Sequence, residues 1–147
     1  MTVSIFLDTN ILIYSYDRVN QEKHKISVDL ISQLILKESE DIVISSQVVN
    51  EFIVVITGKV KYPLPIDEVE RILKRFKENF KIKTLKLLDC EKAISIFKKY
   101  KFSYWDSLIV ASAIHANCST LYTEDIQDEQ IVEGNLSVVN PFKIIES

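Results

Sequence analysis

Short apolar runs alternate with longer stretches of helical periodicity along this chain, and that alternation limits the fold more than any other feature. Val3–Leu7 is apolar and short, as a buried strand should be. Asn10–Tyr16 reads as the start of a helix. Glu22–Lys37 carries Ile26, Leu30, Ile31, Leu34 and Ile35 at helical spacing. Ile42–Ile44 reads as a second strand. Ser46–Thr57 is rich in Val and Ile, which favours a strand. Its dozen nearly all-apolar residues suit a buried helix better, and helix is the reading adopted. Ile66–Phe80 is amphipathic, with Ile66, Val69, Ile72, Leu73, Phe76 and Phe80 on one face. Leu85–Leu88 reads as a third strand, Cys90–Tyr100 and Trp105–Ala116 as helices, and Thr120–Tyr122 and Leu136–Val139 as the last strands. Strands alternating with helices imply a parallel sheet covered on both faces.

The 147 residues suit one domain, 1–147, with a core of useful size. The sequence has no internal repeat and no Gly/Ser linker. Glycine occurs only at Gly58 and Gly134, and proline only at Pro63, Pro65 and Pro141, so Gly58–Pro65 is the one clear break and reads as a loop. The opening residues lack a basic leader segment, and no apolar run is long enough to span a bilayer. Cys90 and Cys118 stand far apart in apolar surroundings and read as reduced core residues of a cytoplasmic protein.

The net charge of −3 argues against a dedicated DNA-binding protein. The charge is uneven, however. Residues 59–86 carry nine Lys or Arg and four acids, a balance of +5 that leaves −8 on the rest. A basic segment beside an acidic remainder suits an enzyme that holds a polyanion near a carboxylate centre, although a solvated helix face explains the charge equally well.

In a parallel sheet, ligands bind beyond the carboxyl ends of the strands. Asp8 follows the first strand directly, and Thr123, Glu124 and Asp125 follow the fourth. Each acid also has a plain structural reading. Asp8 suits a helix N-cap. Ser103-Tyr104-Trp105-Asp106 suits a capping box. Asp125 sits in an acid-rich loop with Asp128 and Glu129. Glu51 is different, because Val48, Val49, Phe52, Ile53, Val54 and Val55 surround it in sequence. A lone carboxylate buried there needs a partner or a metal. Clustered carboxylates repel, and a hard cation such as Mg²⁺ or Mn²⁺ relieves the repulsion, activates water and orients phosphate. His24 and His115 are isolated, so no zinc site is indicated, and no phosphate-binding glycine motif or serine nucleophile elbow occurs.

Four segments resemble the ordered motifs of PIN-domain nucleases: Ile5-Phe6-Leu7-Asp8-Thr9-Asn10-Ile11-Leu12; Val49-Asn50-Glu51-Phe52; Tyr104-Trp105-Asp106-Ser107-Leu108-Ile109-Val110-Ala111-Ser112-Ala113; and Leu121-Tyr122-Thr123-Glu124-Asp125-Ile126-Gln127-Asp128. Val139-Asn140-Pro141-Phe142 resembles the family's usual ending, and the likeness runs through essentially the whole chain. In size and motif wording it is most similar to the VapC toxins of VapBC toxin–antitoxin pairs.

The resemblance implies an α/β, Rossmann-like PIN domain with a central parallel sheet of about five strands and helices on both faces, and a helical insertion at about 64–82. It implies a Mg²⁺- or Mn²⁺-dependent endoribonuclease, with Asp8, Glu51, Asp106 and Asp125 as metal ligands and catalytic acids. Asn10 and Thr123 take supporting places. Glu129 stands where many relatives have Gly, which leaves Asp128 as an alternative to Asp125. The implied partners are RNA, an antitoxin whose Arg or Lys enters the pocket, and a second copy of the chain. Arg71, Lys74, Arg75 and Lys77 are candidate phosphate contacts, and Tyr62 a candidate stacking surface. Two other readings remain. A haloacid-dehalogenase-like phosphatase would carry a second Asp where Asn10 stands. A PIN-like module could instead bind RNA or protein without cutting.

Overall fold

Ile5, Phe6 and Leu7 are consecutive strand residues, and all three are buried. Neighbouring strand side chains point to opposite faces, so the sheet they belong to is covered on both sides. The computed structural model describes residues 2–143. In chain order the elements are β1 (Val3–Leu7), α1 (Thr9–Tyr16), α2 (Gln21–Leu36), β2 (Glu40–Ser45), α3 (Ser46–Gly58), α4 (Ile66–Asn79), β3 (Lys81–Lys83), α5 (Leu87–Tyr100), α6 (Tyr104–His115), β4 (Cys118–Tyr122), β5 (Ile131–Val132) and β6 (Leu136–Val139). The strands form one sheet in the order β3-β2-β1-β4-β6-β5. All neighbours run parallel except β5 and β6.

This order places the chain reversal beside β1. From β1 the chain builds outward through β2 and β3, then returns to add β4 on the other side of β1. The carboxyl ends of β1 and β4 are therefore neighbours, and the crevice between them is where an open α/β sheet binds ligands. Leu7 lies opposite Tyr122, and the Asp8 amide extends the ladder by donating to the Tyr122 carbonyl at 3.0 Å.

The ambiguous Val/Ile-rich segment is a helix. The Ser45 hydroxyl accepts from the Val48 amide at 3.3 Å, and Val48, Phe52 and Ile56 form a buried stripe at i, i+4 spacing. α4 docks through Val69, Ile72 and Phe76, and Phe76 packs edge-on against Phe52 with ring centroids 5.1 Å apart. α5 and α6 meet through Ala93, Leu108 and Ala111.

One expectation needs correction. The third strand is Lys81–Lys83, not Leu85–Leu88. Leu87 and Leu88 are 75% and 63% exposed and open α5, where the Asp89 carboxylate accepts from the Lys86 amide at 2.9 Å. The actual strand lies at the sheet edge and alternates Lys-Ile-Lys, a pattern that keeps an edge from pairing with other chains. The parallel part of the sheet has the expected five strands, and a sixth is added antiparallel at its edge. The extra one, β5, is two residues long and turns back into β6. Glu133 and Gly134 both have positive φ (51° and 78°), and the Asn135 amide donates to the Val132 carbonyl at 3.3 Å. That is the left-handed two-residue turn that suits the twist of a hairpin.

Candidate active site

Asp8 is the first residue beyond β1 and the N-cap of α1. One carboxylate oxygen accepts from the Thr9 amide at 2.7 Å, and the other accepts from the Thr123 hydroxyl at 2.7 Å. Thr123 lies just beyond β4 and is fully buried. It also accepts from the Asp125 amide at 3.1 Å, which folds the loop so that Asp125 returns toward Asp8. The Asn10 amide nitrogen donates to the Asp125 carboxylate at 3.0 Å. Two strand ends and the first turn of α1 thus hold two acids together.

The third acid comes from α6. The Ser103 hydroxyl accepts from the Asp106 amide at 3.1 Å, which caps the helix. Asp106 therefore lies in the first turn, where the positive end of the helix favours a carboxylate. Asp8, Asp106 and Asp125 each offer an oxygen, and these oxygens lie within 4.8 Å of one another. The capping reading and the clustered reading of Asp106 hold together. Glu51 is not in this tight trio, but it lines the same pocket of about 230 Å³.

The Glu51 argument from burial is also corrected. The buried positions of α3 are Gln47, Val48, Phe52 and Ile56, whereas Glu51 is exposed at the pocket rim. Apolar neighbours in sequence did not make it a core residue, because the helix turns it away from them.

All four carboxyls are held above their ordinary range. Burial pushes Asp8 up to about 7, with smaller contributions from Asp125 and Asp106, against the lowering effect of its bonds from Thr123 and Thr9. Asp106 and Asp125 are raised chiefly by desolvation, and Asp125 also by the Asp106 charge. Glu51 is raised first by desolvation and then by Asp106 and Asp125, because the pocket wall shields its carboxyl end. The donors are all hard oxygens under mutual repulsion, a chemistry that fits Mg²⁺ or Mn²⁺. Among the described residues, no second group of His, Cys, Asp or Glu converges in this way.

Other candidates fall elsewhere. Asp128 accepts from the Asn140 amide at 2.6 Å, which ties the loop to the end of β6, and it does not line the pocket. Glu124 accepts from the Tyr14 hydroxyl at 2.6 Å and pairs with Lys23 at 2.7 Å. Tyr62 is exposed but lines a different recess with Tyr16, Val19 and Leu64. Arg71 and Arg75 are exposed and share Glu68 as an ionic partner. Two residues with no sequence signal adjoin the acids. Gln47 and Trp105 both line the acidic pocket, and the Gln47 amide nitrogen donates to the Trp105 carbonyl at 3.2 Å.

Fold and site together define an open α/β domain with an acidic, cation-compatible pocket at the reversal point of its sheet. The PIN-domain family model matches residues 5–131, and the chain belongs to that family. A search of curated proteins finds no match. Among solved structures, the chain is similar to a toxin–antitoxin complex from Klebsiella pneumoniae (TM-score 0.65, 20% identity, covering 93% of this chain and 97% of the other). It is similar to the VapBC2 complex from Rickettsia felis bound to a DNA fragment from its promoter (TM-score 0.64, 20% identity, 92% and 97% covered). It is also similar to a sarcin–ricin-loop-cleaving toxin from Mycobacterium tuberculosis (TM-score 0.63, 14% identity, 80% and 86% covered). At these identities the likeness is one of fold.

Proposed function

We propose that this protein is a metal-dependent endoribonuclease and the toxin of a toxin–antitoxin pair. The observation that carries the reading is the trio Asp8, Asp106 and Asp125, with oxygens within 4.8 Å at the β1–β4 crevice. Those three acids, with Glu51 on the rim, would hold Mg²⁺ or Mn²⁺. A bound divalent cation supplies a Lewis acid that polarises a phosphate and acidifies water.

The protein's own groups do the rest. Thr123 and the Thr9 amide fix both oxygens of Asp8, so its orientation does not depend on substrate. Asn10 does the same for Asp125. Glu51 is exposed and has a raised affinity for protons, which suits it to take one from an attacking water or to complete the ligand set on the open side. Exposed Lys74 and Lys77, with Arg71 and Arg75, give phosphate contacts that carry affinity without sequence choice.

The partners follow from the same site. An antitoxin would quench it by inserting an Arg or Lys among the carboxylates. A second copy of the chain is the other expected partner, and the whole domain, residues 1–147, is the functional unit, in the cytoplasm. No helix of the described residues is long and apolar enough to cross a membrane. The reading is tested by expressing the chain alone in a bacterial host. Growth arrest by wild type and relief by Asp8→Ala are the expected results, and equal arrest by both would refute it.

A further inference from the structure

A groove of about 510 Å³ runs along α3 beside the acidic pocket. One wall is the stripe Gln47, Asn50, Val54 and Lys59, and the other is Leu85 and Trp105. Gln47, Glu51, Val55 and Trp105 line both cavities, so whatever fills the groove is joined directly to whatever reacts at the carboxylates. Trp105 is 64% exposed, although large aromatics are usually buried, and the edge-on Tyr104 ring, centroid 5.7 Å away, steadies it.

Gln47 is only 7% exposed. Its amide nitrogen donates to the Trp105 carbonyl and also hydrogen-bonds to Glu51. Because a carbonyl and a carboxylate only accept, the nitrogen must face them, which leaves the amide oxygen as an acceptor. That oxygen, Oε1, is buried without a protein partner. An unpaired buried acceptor is costly, and a ligand N–H removes the cost.

We propose that this groove is a subsite for one unpaired nucleobase of the RNA, stacked on the Trp105 indole and donating an N–H to Gln47 Oε1. The inference rests on the ribonuclease reading of the adjoining pocket. It adds that the substrate is single-stranded at the cut, because a base inside a duplex offers neither a free face nor a free pairing edge. The groove has a flat aromatic, a polar edge and a cation, Lys59, at its far end, which together match a base on a phosphate backbone. An apolar side chain alone would leave the Gln47 acceptor unpaired.

Trp105 is the chain's only tryptophan, so its emission reports on the groove and the acidic pocket it borders. The test titrates the full chain, in EDTA so that nothing is cut, with a single-stranded RNA octamer, an abasic backbone of equal length and the same octamer in a duplex. The single strand is expected to quench Trp105, and the abasic chain and duplex to leave it bright. Trp105→Ala should weaken single-strand binding about tenfold or more, as loss of one base stack does, while Trp105→Phe retains most of it. Gln47→Leu should weaken binding of the single strand in EDTA more than binding of the abasic chain.

Cleavage with Mn²⁺, unmoved emission and normal binding by Trp105→Ala would overturn the subsite and leave the nuclease reading standing. Quenching by single strands with no cleavage at any Mn²⁺ concentration would support the subsite and remove the nuclease reading. If a Leu-rich peptide quenches Trp105 and no oligonucleotide does, the groove seats a protein and the proposal fails.

Discussion

Asp8 accepts two hydrogen bonds and is still held up to about 7. Desolvation therefore outweighs the bonding, and the sign of its effect on stability follows. Below the ordinary value of 3.8, Asp8 is protonated in both folded and unfolded chains and contributes nothing. Between 3.8 and about 7 the unfolded chain has released a proton that the fold retains, so stability falls as pH rises. Asp8→Asn should therefore raise the metal-free stability at pH 8 by about 1 kcal/mol or more, read as a higher melting temperature, and leave it nearly unchanged near pH 3.5. A variant less stable than wild type at pH 8 would contradict this. Asp8 is legible in sequence because it directly follows an apolar strand, and Asp106 only through its motif, since capping explains it equally well. The burial argument for Glu51 fails, since sequence proximity to Val and Ile says nothing about which way a helix turns a side chain. Gln47 and Trp105 were not legible, because their meaning depends on two helices meeting.

At the scale of elements, the loop after β4 holds a side-chain-bearing residue in a conformation that favours glycine. Glu129 has φ 61°, in the left-handed region that glycine occupies freely, and its amide donates to the Val138 carbonyl at 2.9 Å. Glu129→Gly should stabilise the protein by about 1 kcal/mol, read as a higher denaturation midpoint, and a loss of stability would contradict the strain argument. α4 is held by one apolar face, with Phe76 stacked on Phe80 and edge-on to Phe52. Phe76→Ala should cost about 3–5 kcal/mol by urea unfolding, and a change below about 1 would mean that α4 is not docked as described. Long amphipathic elements such as α2 and α4 were readable from period alone. β3 was misplaced and β5 missed because strands of three and two residues carry almost no period, and their identity is set by partners distant in sequence.

At the scale of the whole molecule, the reversal of strand order at β1 is what gathers acids separated by about a hundred residues of chain. The alternation of strands and helices made that reversal plausible but did not dictate it, since strand order is a tertiary property. The +5 segment, residues 59–86, lies on α4 and its flanks, and its charges should act at long range. Replacing Arg71, Lys74 and Arg75 with Gln should weaken RNA binding and flatten its salt dependence, with Mn²⁺ affinity unchanged. Arg71 and Arg75 already share Glu68, so the slope should fall by less than the three charges removed. Unaltered binding at both low and high salt would remove α4 from the RNA path. The central claim, that the carboxylate trio is a cation-dependent RNA-cutting centre, is tested most directly by cleavage of a single-stranded RNA across a Mn²⁺ titration, with wild type and Asp106→Asn purified side by side. The expected result is cutting by wild type that rises with Mn²⁺ and vanishes in EDTA, and at least about a 100-fold loss in Asp106→Asn, more than an outer-sphere partner would cause. Equal cutting by both proteins, or no cutting by wild type at any Mn²⁺ concentration, would contradict it.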